Sequence, residues 1–269
     1  MRASGIFALL LGACSPASSQ PAADASAPDA SKRDAEVVIP EEDAGPSYQV
    51  SGTVQDTDGK PWAGAAVQVC GKVCNLAFAD AKGAWSTMTQ PEGKHLRVDG
   101  AADDIRLFSP VIYHLDVTSD LALARPIELP VTPPALLLPA GSQDAVVAEL
   151  TLTLDPAKLT LPPNVVAAAV SAVRVPKAAW PPYDVGARSI VAMWALNAYA
   201  TRSSIAVPVS IANATVGLAP GDHASLLSVD PDSGQLVEPA TVTVTAQGDA
   251  IVVDPGQGLR RLTWIVLVK

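Results

Sequence analysis

The chain has 269 residues, room for one large domain or two of ordinary size. Its 24 prolines and 18 glycines interrupt nearly every apolar run, which argues against long helices and for an all-β fold. The net charge is −9; residues 15–47 carry seven acids and two bases of it, leaving the rest close to neutral. With no basic patch to displace counterions from phosphates, nucleic acid is excluded as a partner.

Met1-Arg2 forms a short positive start and Gly5 to Leu11 an apolar run too short to span a bilayer, the form of a signal peptide. It ends in Leu11-Gly12-Ala13-Cys14, which resembles the bacterial lipobox. The resemblance implies removal of residues 1–13 and acylation of Cys14 with diacylglycerol and a palmitate-type chain. Several chains give stable anchoring, since each buried CH₂ contributes about 0.8 kcal/mol. Ser15, where an Asp favours the inner membrane, points to the outer membrane of the cell envelope. The alternative is an ordinary signal peptide with Cys14 there by chance. Residues 14–47, rich in Ala, Ser, Pro and acids, cannot bury enough surface to offset their ordering entropy and read as a disordered tether.

From Tyr48 the pattern changes. Tyr48-Gln49-Val50-Ser51-Gly52-Thr53-Val54 alternates with the period of a half-buried strand, and Asp56-Thr57-Asp58-Gly59-Lys60-Pro61 turns it. Strands are expected over 65–70 and 74–80, with a reversal at Gly71-Lys72-Val73. Asp80-Ala81-Lys82-Gly83 then leads into Ala84-Trp85-Ser86. The ordered set of Gly52 and Val54, Asp56, Gly59 and Pro61, Gly64, Ala65 and Val67, and Asp80 and Gly83 resembles the carboxypeptidase regulatory-like domain, a transthyretin-like β-sandwich. That resemblance implies a non-catalytic accessory module over residues 48–130.

Cys70 and Cys74 remain once Cys14 is lipidated, and they flank one short turn. An exported, oxidising compartment favours their disulfide over free thiols or a metal, which would need further ligands from only three histidines. His95 and His114 continue the alternation at opposite phases and read as half-exposed strand residues. Ile127 to Pro134 holds three prolines and is the expected domain boundary.

Residues 131–269 form a second expected antiparallel module. Strands are expected over 146–154, 159–161, 165–175, 189–196, 205–211, 224–229, 236–237, 241–245, 251–253 and 262–268. The run Met193-Trp194-Ala195-Leu196, then Ala206-Val207-Pro208-Val209, Gly217-Leu218-Ala219-Pro220-Gly221 and the Asp230-to-Gly234 turn resembles a ZU5-like β-sandwich.

No nucleophile elbow, zinc-protease helix motif, P-loop or dinucleotide fingerprint occurs. The acidic turns at Asp56-Asp58 and Asp230-Asp232 lack the closing Glu of a calcium loop and read as hairpin chemistry. No catalytic residue, metal ligand or cofactor is expected. A pocket gathering His223, a Ser and an Asp would favour an enzyme. Trp62, Trp180 and Tyr183 lie in expected loops and are the candidate contact surface. The reading is two antiparallel β-sandwich modules on a lipid-anchored tether, serving as a non-enzymatic protein-binding scaffold. The alternative is a carbohydrate-binding accessory protein for a secreted hydrolase, with Trp180 and Tyr183 as its stacking platform.

Overall fold

The computed structural model describes residues 46–90, 95–101, 107–163, 165–197 and 201–269. The signal peptide, Cys14 and most of the tether lie outside the described residues. Asp43–Lys269 clusters as one unit. The described fold is all-β; its helical content is three single 3₁₀ turns.

Residues 48–129 form a β-sandwich of two four-stranded sheets. Its strands are β1 (Tyr48–Asp56), β2 (Ala66–Cys70), β3 (Cys74–Phe78), β4 (Ala84–Thr89), β5 (His95–Asp99), β6 (Val111–His114), β7 (Leu121–Ala122) and β8 (Ile127–Leu129). One sheet joins β4 to β1, with β7 and β8 beside β1; the other runs β3-β2-β5-β6. The pairs β1–β7 and β1–β8 are parallel, a departure from the purely antiparallel expectation. Val50, Val54 and Trp85 of the first sheet meet Val67, Val69, Leu96 and Val98 of the second. The D-x-x-G turns behave as read. Asp56 Oδ1 accepts from the Asp58 and Lys60 amides, and Asp80 Oδ1 from those of Lys82 and Ala84.

The remaining strands are β9 (Leu136–Leu137), β10 (Gln143–Val147), β11 (Leu150–Leu154), β12 (Leu159–Thr160), β13 (Ala169–Val170), β14 (Ala172–Arg174), β15 (Ile190–Leu196), β16 (Thr201–Val207), β17 (Val209–Ala212), β18 (His223–Val229), β19 (Leu236–Val244), β20 (Ala250–Val253), β21 (Leu259–Leu262) and β22 (Ile265–Val268). Nine of them make one sheet in the order β10-β11-β17-β20-β19-β18-β22-β15-β14, while β12-β16-β21 and β13-β9 pair separately.

Several expected strands are divided. The alternating run 146–154 is a hairpin, β10 to β11, whose turn puts Ala148 at φ 49. Ala in a conformation that favours Gly or Asn gives no turn signal. The run 205–211 breaks at Pro208, which has no N–H for a ladder, and β16 and β17 join different sheets. The run 262–268 breaks at Thr263-Trp264, and 165–175 keeps strand only in β13 and β14. Conversely, 236–237 and 241–245 merge into β19, with a register shift between Leu226 and Ser228 of β18 opposite the interruption.

Among the described residues no sheet crosses the expected boundary at 130/131, but an isolated Phe108–Val131 bridge and apolar packing do. In β15, Ala192, Trp194 and Leu196 enter the core of the C-terminal half, while Met193 and Ala195 enter the core that contains Val50 and Leu96. In β22, Ile265 and Leu267 alternate with Val266 and Val268 in the same way. These strands are covered on both faces, which is why they read as continuous apolar runs. Trp264 is fully buried in the shared core; its Nε1–H donates to Ser109 Oγ at 2.9 Å, and Ser109 Oγ–H donates to the Leu196 carbonyl at 2.8 Å. The turn ending at Gly234 lies on β6: His114 N–H donates to the Gly234 carbonyl, and a Cβ on Gly234 (φ +68) would stand 2.4 Å from the Tyr113 carbonyl carbon.

Cys70 and Cys74 are ladder partners and form a disulfide, with Cα atoms 3.9 Å apart, closer than the usual 4.4–6.8 Å. Gly71 N–H donates to the Val73 carbonyl at 3.0 Å and closes the reversal between them.

Two measurements test this packing. Ser109→Ala leaves a buried indole N–H and a carbonyl without their partner and should cost about 1–3 kcal/mol in urea denaturation; a change below about 0.5 kcal/mol would mean that the relay contributes nothing to stability. Replacing both Cys70 and Cys74 with Ser removes a link at a sequence separation of 4 and should cost about 2 kcal/mol. Because the core is shared, residues 48–269 should still melt in one calorimetric transition, and two resolved transitions would contradict it.

Candidate functional site

The N-terminal sandwich has an open edge between β8 of one sheet and β6 of the other. The segment following β14 closes it. Residues Lys177–Ala179 make a 3₁₀ turn after Pro176, and Trp180-Pro181-Pro182 follow. Between this segment and the edge lies a cleft of about 220 Å³. Val111 and Tyr113 of β6 form its floor, Leu123 to Glu128 one wall, and Ala179 to Pro182 the other.

Each wall is held by backbone geometry. Leu123 N–H donates to the Ser51 carbonyl at 2.9 Å, and Ile127 pairs with Val54, so the first wall is tied to β1. In the second wall Trp180 Nε1–H donates to the Val175 carbonyl at 3.0 Å, which fixes the indole, and Lys177 Nζ sits 6.0 Å from its ring centroid. Arg125 bridges the cleft, its guanidinium donating to the Ala178 carbonyl. The Tyr183 hydroxyl donates to the Ile112 carbonyl at 2.7 Å and ties the proline segment to β6.

Tyr113 has one buried ring and one uncommitted group. The residue is 4% exposed, and among the described residues its hydroxyl makes no hydrogen bond. Burial pushes its pKa well above the usual phenol range, so the group stays a protonated donor.

The three expected contact aromatics therefore separate. Trp62 is fully buried, edge-on to Phe108 at 5.7 Å, and offers no surface, so it drops out of the candidate contact set. Trp180 lines the cleft, half-buried. Tyr183 is half-buried and acts as a tie, so it does not stand beside Trp180 as a flat platform. Tyr113 and Arg125 carry no local sequence signal, because only tertiary packing brings them to Trp180.

Two polar pockets flank the shared packing. In one, of about 340 Å³, His95 and His114 are ladder partners beside Lys72, Asp232, Ser233 and Gln235. They share a face, contrary to the opposite phases expected. Burial lowers the His95 pKa below its ordinary 6.5; His114 and Arg97 lower it further, while Asp232 and Asp230 act in the other direction. Asp230 Oδ1 also accepts from the Asp232 and Ser233 amides, and both carboxylates pair with Arg261, which fits the turn reading of that segment.

The other pocket, of about 380 Å³, gathers His223, Ser225, Thr241, Asp254, Arg188 and Lys269. His223 Nδ1 and Thr243 Oγ1 are 3.0 Å apart, and Thr243 Oγ1–H donates to Asp254 Oδ1 at 3.0 Å. The hydroxyls of Thr241 and Thr243 hold the Asp254 carboxyl below its usual pKa. Threonine thus stands between His and Asp. The pocket therefore gathers the His, Ser and Asp that an enzyme reading called for, while among the described residues no hydrogen bond joins Ser225 to His223. No group of three potential metal ligands occurs among the described residues.

Fold and site together define an all-β protein of β-sandwich character with an apolar cleft at a sandwich edge. No family model matches the chain, and no curated protein matches it. Among solved structures, a DUF3823 family protein from Parabacteroides merdae is similar, at 10% identity and a TM-score of 0.24, covering 80% of this chain and all of that one. At that level the similarity assigns neither family nor ligand.

The His95 geometry gives a pH prediction. A histidine pKa lowered on folding means that the unfolded chain binds the proton more tightly. The contribution of neutral His95 is complete above about pH 6.5 and falls as acid passes through that value toward the lower folded one. Stability should decline between about pH 7 and 5, with a shallower slope in His95→Gln. An identical slope in the variant would exclude His95 as the source.

Proposed function

We propose that this chain is a non-enzymatic lipoprotein, anchored through Cys14 at the bacterial outer membrane, that presents its β-unit as a protein-binding scaffold. The observation that carries this reading is the cleft walled by Trp180, Pro181 and Pro182 on one side and Leu123 to Glu128 on the other. Indole and proline rings on fixed backbone offer apolar area at low ordering cost, the character of protein-contact surfaces. The ordered turn motifs support placing residues 48–130 with carboxypeptidase regulatory-like modules and 131–269 with ZU5-like modules. The lipobox-like Leu11-Gly12-Ala13-Cys14 supports the anchor. Among the described residues no helix is long and apolar enough to cross a membrane, and lipid on Cys14 would supply attachment.

Anchor and surface are tested separately. Cys14→Ala should move the protein from the membrane pellet to the soluble or unprocessed fraction; retention in the pellet at mature size would refute the anchor. Trp180→Ala, with its fold checked by near-UV circular dichroism, should reduce recovery of envelope proteins cross-linked to the full-length chain by at least about tenfold. Unchanged recovery would remove the cleft as the contact surface.

A further inference from the structure

Resting on the protein-binding reading, we propose that the cleft receives a proline-rich peptide segment flanked by acidic residues, bound in the extended polyproline conformation. The argument begins with size. About 220 Å³ is below the roughly 300–1,000 Å³ of sites that enclose a whole drug-sized ligand, so the cleft takes a short piece of a longer ligand.

The walls then select the chemistry. Trp180, Pro181, Pro182, Pro126 and Leu123 present flat and aliphatic surfaces, the setting in which polyproline segments dock. The lining side chains include hydrogen-bond donors. The Trp180 N–H is already engaged by Val175, which leaves the Tyr113 hydroxyl and the remaining N–H groups of Arg125. The carboxylate in the lining is that of Glu128, which already accepts from Gln55 Nε2 at 3.4 Å. A proline segment suits these donors, because each proline offers a carbonyl acceptor and has no N–H to leave unpaired on desolvation. Its rings fill the apolar space at low entropic cost, the polyproline helix being preformed.

Charge sets the flanks. Arg125 lines the cleft and Lys177 lies 6.0 Å from the Trp180 ring, against the carboxylate of Glu128 among the described lining residues, so acidic residues beside the prolines are favoured over basic ones. A sugar fits less well. Its hydroxyls need donors and acceptors alike, and a stacking face needs a flat aromatic row, which Tyr183 does not supply.

The test uses the purified full-length protein in detergent and a synthetic oligoproline peptide with aspartates at both ends, read by calorimetry and tryptophan fluorescence. The peptide should bind and shift the emission, whereas a glycine–serine peptide of equal length and charge should not. Tyr113→Phe, which keeps the buried ring, should weaken binding by about 2–12-fold through one lost hydrogen bond. Arg125→Gln should weaken it and flatten its salt dependence. The proposal is overturned if the glycine–serine peptide binds equally, if both variants bind as wild type, or if a xylan or cellulose oligosaccharide binds and displaces the peptide. If the oligoproline peptide fails while Trp180→Ala still loses its cross-linked proteins, the peptide class falls and the scaffold reading stands. If both fail, both fall.

Discussion

The fold depends on a strip of sheet that is buried on both faces. β15 and β22 lie side by side in the nine-stranded sheet, and their residues alternate between two cores. Such strands cannot show solvent a polar face, so the N-terminal sandwich is a wall of the C-terminal sheet as well as a neighbour on the chain. Apolar burial supplies the affinity between the two halves without direction. Direction comes from the Trp264–Ser109–Leu196 relay, in which one hydroxyl accepts from the indole between β21 and β22 and donates to a carbonyl of β15. A buried donor and acceptor that satisfy each other through one serine tolerate little sliding.

Turn chemistry places the remaining contacts. Asp230 holds the amides of its own turn, Gly234 takes a positive φ, and the turn can then lie on β6 at a distance no side chain would allow. The β5–β6 ladder sets His114 beside His95, and the turn brings Asp232 into their pocket. At the other end of β6, Tyr183 reaches the Ile112 carbonyl and draws the proline segment over the sandwich edge. The cleft follows from an edge closed by a loop in place of a strand: Arg125 and Trp180 meet across a gap that no ladder fills.

The polar cluster at His223 shows how type and arrangement differ. Histidine, serine, aspartate and threonine share a pocket, yet cross-strand register puts Thr243 between His223 and Asp254. That arrangement stabilises hairpin pairing through hydroxyl–carboxylate bonds. The Trp180 cleft is the reverse case. Its lining is mostly apolar, with the Trp180 indole fixed by the Val175 carbonyl and Arg125 held by the Ala178 carbonyl.

The sequence by itself determined whatever rests on neighbours within a few residues. Alternation marked the strands, proline and glycine excluded helices, D-x-x-G marked Asp56 and Asp80 and D-x-x-x-G marked Asp230 as turns, and spacing paired Cys70 with Cys74. These depend on φ preferences and on hydrogen bonds spanning two to four residues, which the local chain specifies. Tertiary structure decided where alternation is interrupted without a signal, as at Ala148 and Thr263. It also decided that Trp62 is core while Trp180 lines a cleft, although both sit beside prolines in similar local sequence. Alternation states that a residue points to one side and is silent on what covers that side. Only the packing of β6, β15 and β22 settles which faces are covered and which groups, Tyr113 and Arg125 among them, are left facing a gap.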